Sequence, residues 1–185
     1  MPSKVDSSKV DAAAKQGLRL EDIELIKQLK YRFWRSLDTM DVEEMRTCFV
    51  AKPVIHQQGG SYLVHIEDLE EYLDFLPKAL HADVVSSHVG LHPEITVHNE
   101  REASGIWMLL DSSMDLLRKM TTRGQAIARD KYVKEHGVWK IKETTYTRVY
   151  EIVEPLTAAP NLTAHYLREH GTKLESLDVF NAIRS

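Results

Sequence analysis

The chain is poor in the residues that staple, punctuate or anchor a fold. One cysteine, Cys48, stands among 185 residues, so an intrachain disulfide is excluded and a reducing compartment fits. Nothing activating surrounds Cys48, which reads as a buried helix residue and not a nucleophile. The apolar runs fall far short of the ~20 residues that span a bilayer, and no hydrophobic leader opens the sequence. A cytoplasmic protein with no membrane partner is therefore expected. Twenty-four basic and 28 acidic residues are mixed along the chain, giving a net charge of −4 with no basic stripe, so nucleic acid is not an expected partner. What is present is an ordinary hydrophobic content of 43%, enough for one domain with a core and a small-molecule cavity.

Residues 1–17 are rich in Ser, Lys, Asp and Ala and lack periodicity, which predicts a flexible N-terminal arm. From Glu21 the residues Ile23, Ile26, Leu29 or Lys30, Phe33, Leu37 and Met40 mark the buried stripe of a long helix. Tyr31, Trp34 and Asp38 form a second row beside that stripe. Asp38 thus sits at a helix C-terminus, where a carboxylate opposes the macrodipole. Either it simply begins the helix's last turn, or it is kept there for chemistry. Asp41 and Glu44 make a capping box for a short second helix. Residues 53–56 read as a short strand, and Glu67 to Leu80 as a third helix kinked or ended by Pro77.

The stretch from Ser87 to Asp111 reads as two strands, 93–98 and 105–111, around the turn His98-Asn99-Glu100. His88 precedes the first strand on a segment broken by Gly90 and Pro93. Asp111 ends the second, on the face that also carries Trp107 and Leu109. That face belongs to a lined pocket or, alternatively, Asp111 opens a solvated turn. A polar loop at 118–123, a strand to about Val133, a turn at 135–137 and a last strand from Val138 to Tyr150 follow. Trp139 and Ile141 read as core. A helix is expected at 163–170, and residues 155–185 form a C-terminal extension that packs on a neighbouring subunit. The order predicts an α+β fold with a curved antiparallel sheet wrapped around three helices in residues 18–154.

Three segments, IELIKQLKYRFWRSLDTMD, SSHVGLHPEITVHNEREASGIWMLLD and GVWKIKETTYTRVYE, together resemble the SnoaL-like branch of the NTF2-like superfamily. The likeness covers roughly residues 20–152 and is greatest to its bile-acid 7α-dehydratases and scytalone dehydratases. It implies a cystatin-like cone around a deep cavity, assembled as a homodimer or homotrimer. The branch's helix-terminal aspartate falls on Asp38, its catalytic histidine on His88, a second aspartate on Asp111 and a strand arginine on Arg148. Phe33 replaces a helix tyrosine used in catalysis, which leaves Tyr31 as the nearest hydroxyl. His56 stands where a second pocket tyrosine is found.

These residues suit cofactor-independent elimination from a hydrophobic, ring-containing small molecule. His88 would be the base, Asp38 would orient it, and Asp111 would act with Tyr31 and His56 on the leaving group. Trp34, Trp107, Tyr146 and Arg148 complete the expected substrate-binding set. Arg148 either holds an anionic group or neutralises Asp111. Alternatives are an isomerase with Asp38 or Asp111 as base, and a non-catalytic binding module. No metal or other cofactor is expected, because turn residues separate His88, His92 and His98.

Overall fold

A computed structural model describes residues 7–60 and 62–174. Helix α1 runs from Ser7 to Thr39, and α2 (Val42–Arg46) follows at once. The expected arm is thus helical from Ser7 onward. The run Ala12-Ala13-Ala14-Lys15-Gln16 has no apolar stripe but consists of strong helix formers, so propensity decides where periodicity is silent. Along the rest of α1, Ile26, Leu29, Phe33, Trp34 and Leu37 are buried. The helix ends in a Schellman-type turn. The Met40 amide donates to Leu37 O and the Asp41 amide to Ser36 O, with Met40 in the left-handed region at φ 51°. Asp41 accepts from the Glu44 amide at 2.9 Å, the N-cap bond expected of it.

Cys48 is buried but lies in the turn after α2, not within a helix, and burial pushes its thiol pKa up. Strand β1 (Phe49–Gln58) is longer than the expected 53–56, and β2 (Leu63–Ile66), which the sequence did not suggest, pairs with it antiparallel. Helix α3 (Leu69–Ala79) is capped by Asp68, whose side chain accepts from Glu70 and Glu71, and it tolerates Pro77 in its last turn. Four long strands then meander antiparallel: β3 (Val84–Val97), β4 (Glu102–Asp115), β5 (Met120–Glu135) and β6 (Val138–Pro155). The sheet order is β2-β1-β6-β5-β4-β3, with β1 parallel to β6.

Two expectations about the central hairpin are corrected. His88 lies inside β3, because a bulge at Leu91/Glu94, with His92 at φ 50°, absorbs Pro93 without ending the strand. Asp111 lies mid-strand, since β4 continues to Asp115, and of the polar loop expected at 118–123 only 118–119 stay outside the strands, in a turn at 116–119. The β5–β6 turn has His136 and Gly137 at φ 50° and 83°, the signs of a type I′ hairpin. The expected helix at 163–170 shrinks to α4 (Tyr166–His170), and residues 175–185 of the C-terminal extension lie outside the described residues. Among the described residues, no helix is long and apolar enough to cross a membrane.

The curved sheet presents one face to the helices. Trp107, Leu109, Ala126, Ala128, Trp139 and Ile141 from the strands meet the α1 and α3 stripes there. One charged pair is sealed inside this core. Lys30 Nζ lies 2.9 Å from Asp130 Oδ2, with 1% and 0% of the two side chains exposed. Tyr132 and Thr144 hydroxyls donate to Asp130 at 2.6 and 2.7 Å, and the Trp107 indole N–H donates to the Tyr132 oxygen at 2.9 Å. Lys30 also sits 4.8 Å above the rings of Phe33 and Trp34.

A second polar cluster ties the β4–β5 turn to the segment before β3. Burial works against ionisation of Asp115. The His81 ring and the amide and guanidinium of Arg118 outweigh it and hold the carboxyl down at about 2. A carboxyl lowered on folding stabilises the protein above its unfolded pKa of roughly 3.9, and that contribution fades as pH falls toward the folded value. Asp115→Asn is therefore expected to be less stable than the parent near neutrality, by on the order of 1 kcal/mol once solvent screening is allowed for. The gap should close between about pH 4 and 2. Parallel urea melts down that range would show it; a gap independent of pH would refute the assignment.

Candidate active site

The last turn of α1 and the middle of β3 meet through Asp38 and His88. His88 Nδ1 lies 2.7 Å from Asp38 Oδ1, and the His88 backbone N–H donates to Oδ2 at 2.8 Å. Ser86, one step along the same strand face, donates its hydroxyl to Oδ1 at 2.9 Å. Burial alone pushes the Asp38 carboxyl up, but the bonds from His88 and Ser86, together with the charge of His88, bring it below its ordinary value. A carboxylate that accepts from Nδ1 fixes the tautomer with a lone pair on Nε2. Nε2 has no hydrogen-bond partner among the described residues, and 18% of the His88 side chain is exposed.

His88 and Asp111 are directly paired across β3 and β4, so their side chains leave one face of the sheet about 5 Å apart at Cβ. Asp111 is bound bidentately by Arg148 from β6, with Nη2 at 2.8 Å from Oδ2. Arg148 therefore neutralises Asp111. Its Nε also meets Glu151 at 3.1 Å, and Nη2 meets the Tyr62 hydroxyl at 3.1 Å. Desolvation opposes the charge on Arg148, but Asp111, Tyr62 and Glu151 outweigh it and raise its pKa. Burial pushes the Tyr62 hydroxyl up to about 12, so it is a neutral donor at physiological pH. Tyr62 and Tyr146 share a hydrogen bond.

Two glycines leave room for this arrangement. A Cβ on Gly90 would lie 1.7 Å from the Trp34 ring, so that indole packs directly against β3 two residues from His88. A Cβ on Gly124 would come 2.9 Å from Arg148 Nη1 and 2.7 Å from Tyr150 O. Trp34 meets Trp107 edge-on at 5.2 Å, and Tyr31 meets Trp107 edge-on at 6.1 Å. Tyr31 is 45% exposed, at the outer margin of this aromatic wall.

Of the residues expected from the sequence, Asp38, His88, Asp111, Arg148, Trp34, Trp107, Tyr31 and Tyr146 are linked by these contacts. His56 is the exception. It pairs with His65 and Thr145, alternate to the inward residues Ile55 and Thr144, so it lies on the opposite face of the sheet. Its Nδ1 is 3.4 Å from that of His65. His92 sits at the bulge, and His98 meets Ser104 at 2.9 Å. Among the described residues no three His, Cys, Asp or Glu side chains could together hold a metal ion. Sequence reasoning missed Ser86, Tyr62 and Glu151. Ser86 could have been found by its i−2 relation to His88, which puts both on one strand face; Tyr62 carries no local signal, and Glu151, at i+3 from Arg148, would alternate to the opposite face but for a register shift in β6. A cavity of about 510 Å³ opens elsewhere, between residues 116–119 and 156–168, and none of its lining belongs to the dyad.

With helix-end carboxylate, strand imidazole and bent sheet in place, comparison with known proteins is decisive at the level of family. The model of the SnoaL-like domain matches residues 18–145. The chain belongs to the SnoaL-like domain family. A solved hexachlorocyclohexane dehydrochlorinase (LinA, type 2) is 16% identical, with a TM-score of 0.66 over 78% of this chain and 97% of that one. A scytalone dehydratase-like protein from Novosphingobium aromaticivorans is 17% identical, with a TM-score of 0.64 over 78% and 99%. A cystatin-like protein from Nostoc punctiforme is 23% identical, with a TM-score of 0.54 over 69% and 90%. At such identities these likenesses establish the fold, α+β and NTF2-like. Arg148 and Glu151 lie just beyond the part of this SnoaL-like chain that the family model matches.

Proposed function

We propose that the protein is a cofactor-independent lyase that eliminates water or HX from a hydrophobic, ring-containing small molecule. The observation that carries this reading is the Asp38–His88 pair, with Nδ1 committed to the carboxylate and Nε2 left open. In the reaction Nε2 takes a proton from carbon, the C–H electrons become the new double bond, and the leaving group departs from the adjacent carbon. Asp38 holds the ring and stabilises the imidazolium, while Asp111, its neighbour across the strand pair, is already neutralised by Arg148. A carboxylate base, as in an isomerase, fits less well. Asp38 already accepts three hydrogen bonds and Asp111 is held by Arg148. The hydrogen-bonded Tyr62–Tyr146 pair, in which burial keeps Tyr62 neutral, leaves one O–H to donate to a departing oxygen or halide.

Support from the comparisons is that a dehydrochlorinase and a scytalone dehydratase-like protein share the fold. The same reading carries a homodimer or homotrimer, supported by Val89, Leu110, Tyr150 and Ile152, all exposed on the outer face of the sheet. Incubating the purified protein, with chelator and no added cofactor, against a panel of ring alcohols and halides should yield alkene with matching release of water or halide. Asp38→Asn, which keeps the shape but loses the charge, should lower that rate by about 10²–10⁴-fold. A folded D38N protein with parental turnover would exclude the dyad as the machinery.

A further inference from the structure

The far side of the site has an unusual charge balance. Arg148 is its cation, and two carboxylates hold it: Asp111 through both terminal nitrogens and Glu151 through Nε. Tyr62 takes a further N–H. Only one of the five N–H bonds of a guanidinium is then left over. The cluster is also shielded, with 10%, 13% and 8% of the Arg148, Asp111 and Glu151 side chains exposed. Glu151 is pinned further by the Gly60 amide at 3.1 Å. With Asp38 beyond His88 added, the site holds three carboxylates and one guanidinium, so it is net negative whether or not His88 carries a proton.

We propose that this site takes an uncharged ligand and rejects its anionic counterpart. An incoming carboxylate or phosphate would have to displace Asp111, which is tethered and therefore present at high effective concentration. It would also meet the surplus negative charge of a site still partly open to solvent, where 18% of His88 and 25% of Asp38 are exposed, a repulsion that added salt weakens. The inference rests on the proposed ring-compound substrate, but not on the reaction performed there. Neutral recognition suits an elimination in which an anionic substituent would repel the dyad's carboxylate.

Cyclohexanecarboxamide and cyclohexanecarboxylate have nearly the same shape and differ in charge, and neither can undergo the proposed reaction. Calorimetric titration of the full chain near neutral pH should show the amide binding at least tenfold more tightly. The ratio should narrow by roughly threefold in Glu151→Gln and should also narrow as salt rises in the parent protein. The salt series stands by itself if E151Q does not fold. Equal or tighter binding of the carboxylate would overturn the proposal, as would binding of neither probe or a preference insensitive to both salt and E151Q. Because binding alone is read, failure here is distinct from failure of the elimination assay.

Discussion

His88→Ala is expected to lose about 10²–10⁴-fold in kcat, the usual contribution of a positioned general base, with little change in melting temperature. The fold should survive because the bond that docks β3 against the end of α1 comes from the backbone N–H of residue 88, which alanine retains. Ser86 continues to donate to the same carboxylate. Loss of the imidazole therefore removes the acceptor for the carbon-bound proton while the strand stays in register. Turnover, circular dichroism and thermal melting of the parent and H88A decide the matter together. A folded H88A enzyme working at the parental rate would move the base elsewhere and leave Asp38 as a structural cap.

Lys30→Met is expected to have the largest effect on stability. The substitution keeps the length of the side chain but leaves Asp130 as an uncompensated buried charge, which costs about 3–5 kcal/mol. For a domain of this size that corresponds to roughly a 10 °C fall in Tm. Because Asp130 orders Tyr132 and, through it, the Trp107 indole, K30M should also loosen the aromatic wall that meets Trp34. The double variant K30M/D130N removes both charges and should recover much of the loss, and a thermodynamic cycle over the four proteins measures the coupling. A single variant within about 1 kcal/mol of the parent would show that the pair is not isolated from water.

These two cases show what a sequence discloses and what it hides. Helix α1 was legible because its buried stripe repeats at helical spacing over several turns, and Asp38 stood out by opposing the helix dipole. The Trp107–Leu109–Asp111 face was legible because strand alternation is local. Lys30 was ambiguous with Leu29 for one core position, since nothing near it in sequence announces that a partner waits a hundred residues on at Asp130. His56 was misplaced for a related reason: one residue of register decides which face a strand side chain takes, and the pairing partners that set register are remote. The strand carrying His88 was cut short at Pro93, where a bulge carries it on. Tyr62 is joined to Arg148 only by tertiary contact, and Glu151, three residues on in the same strand, reaches that face only because a register shift at Val149 breaks the alternation.

The parallel pairing of β1 with β6 has a consequence for how the molecule comes together. Phe49 finds its partner at Ile141, across most of the domain, so the loop to be closed is long and its entropic cost must be met before that ladder gives any return. The β3–β4–β5 meander, with short turns, can assemble first and carries the half of the centre that includes His88. Pulse-labelling exchange during refolding should therefore protect amides of residues 84–133 ahead of those in 49–58. Tyr62 follows β1 in the chain and reaches Arg148 only once that ladder forms, so the late step of assembly is the one that completes the Arg148 cluster.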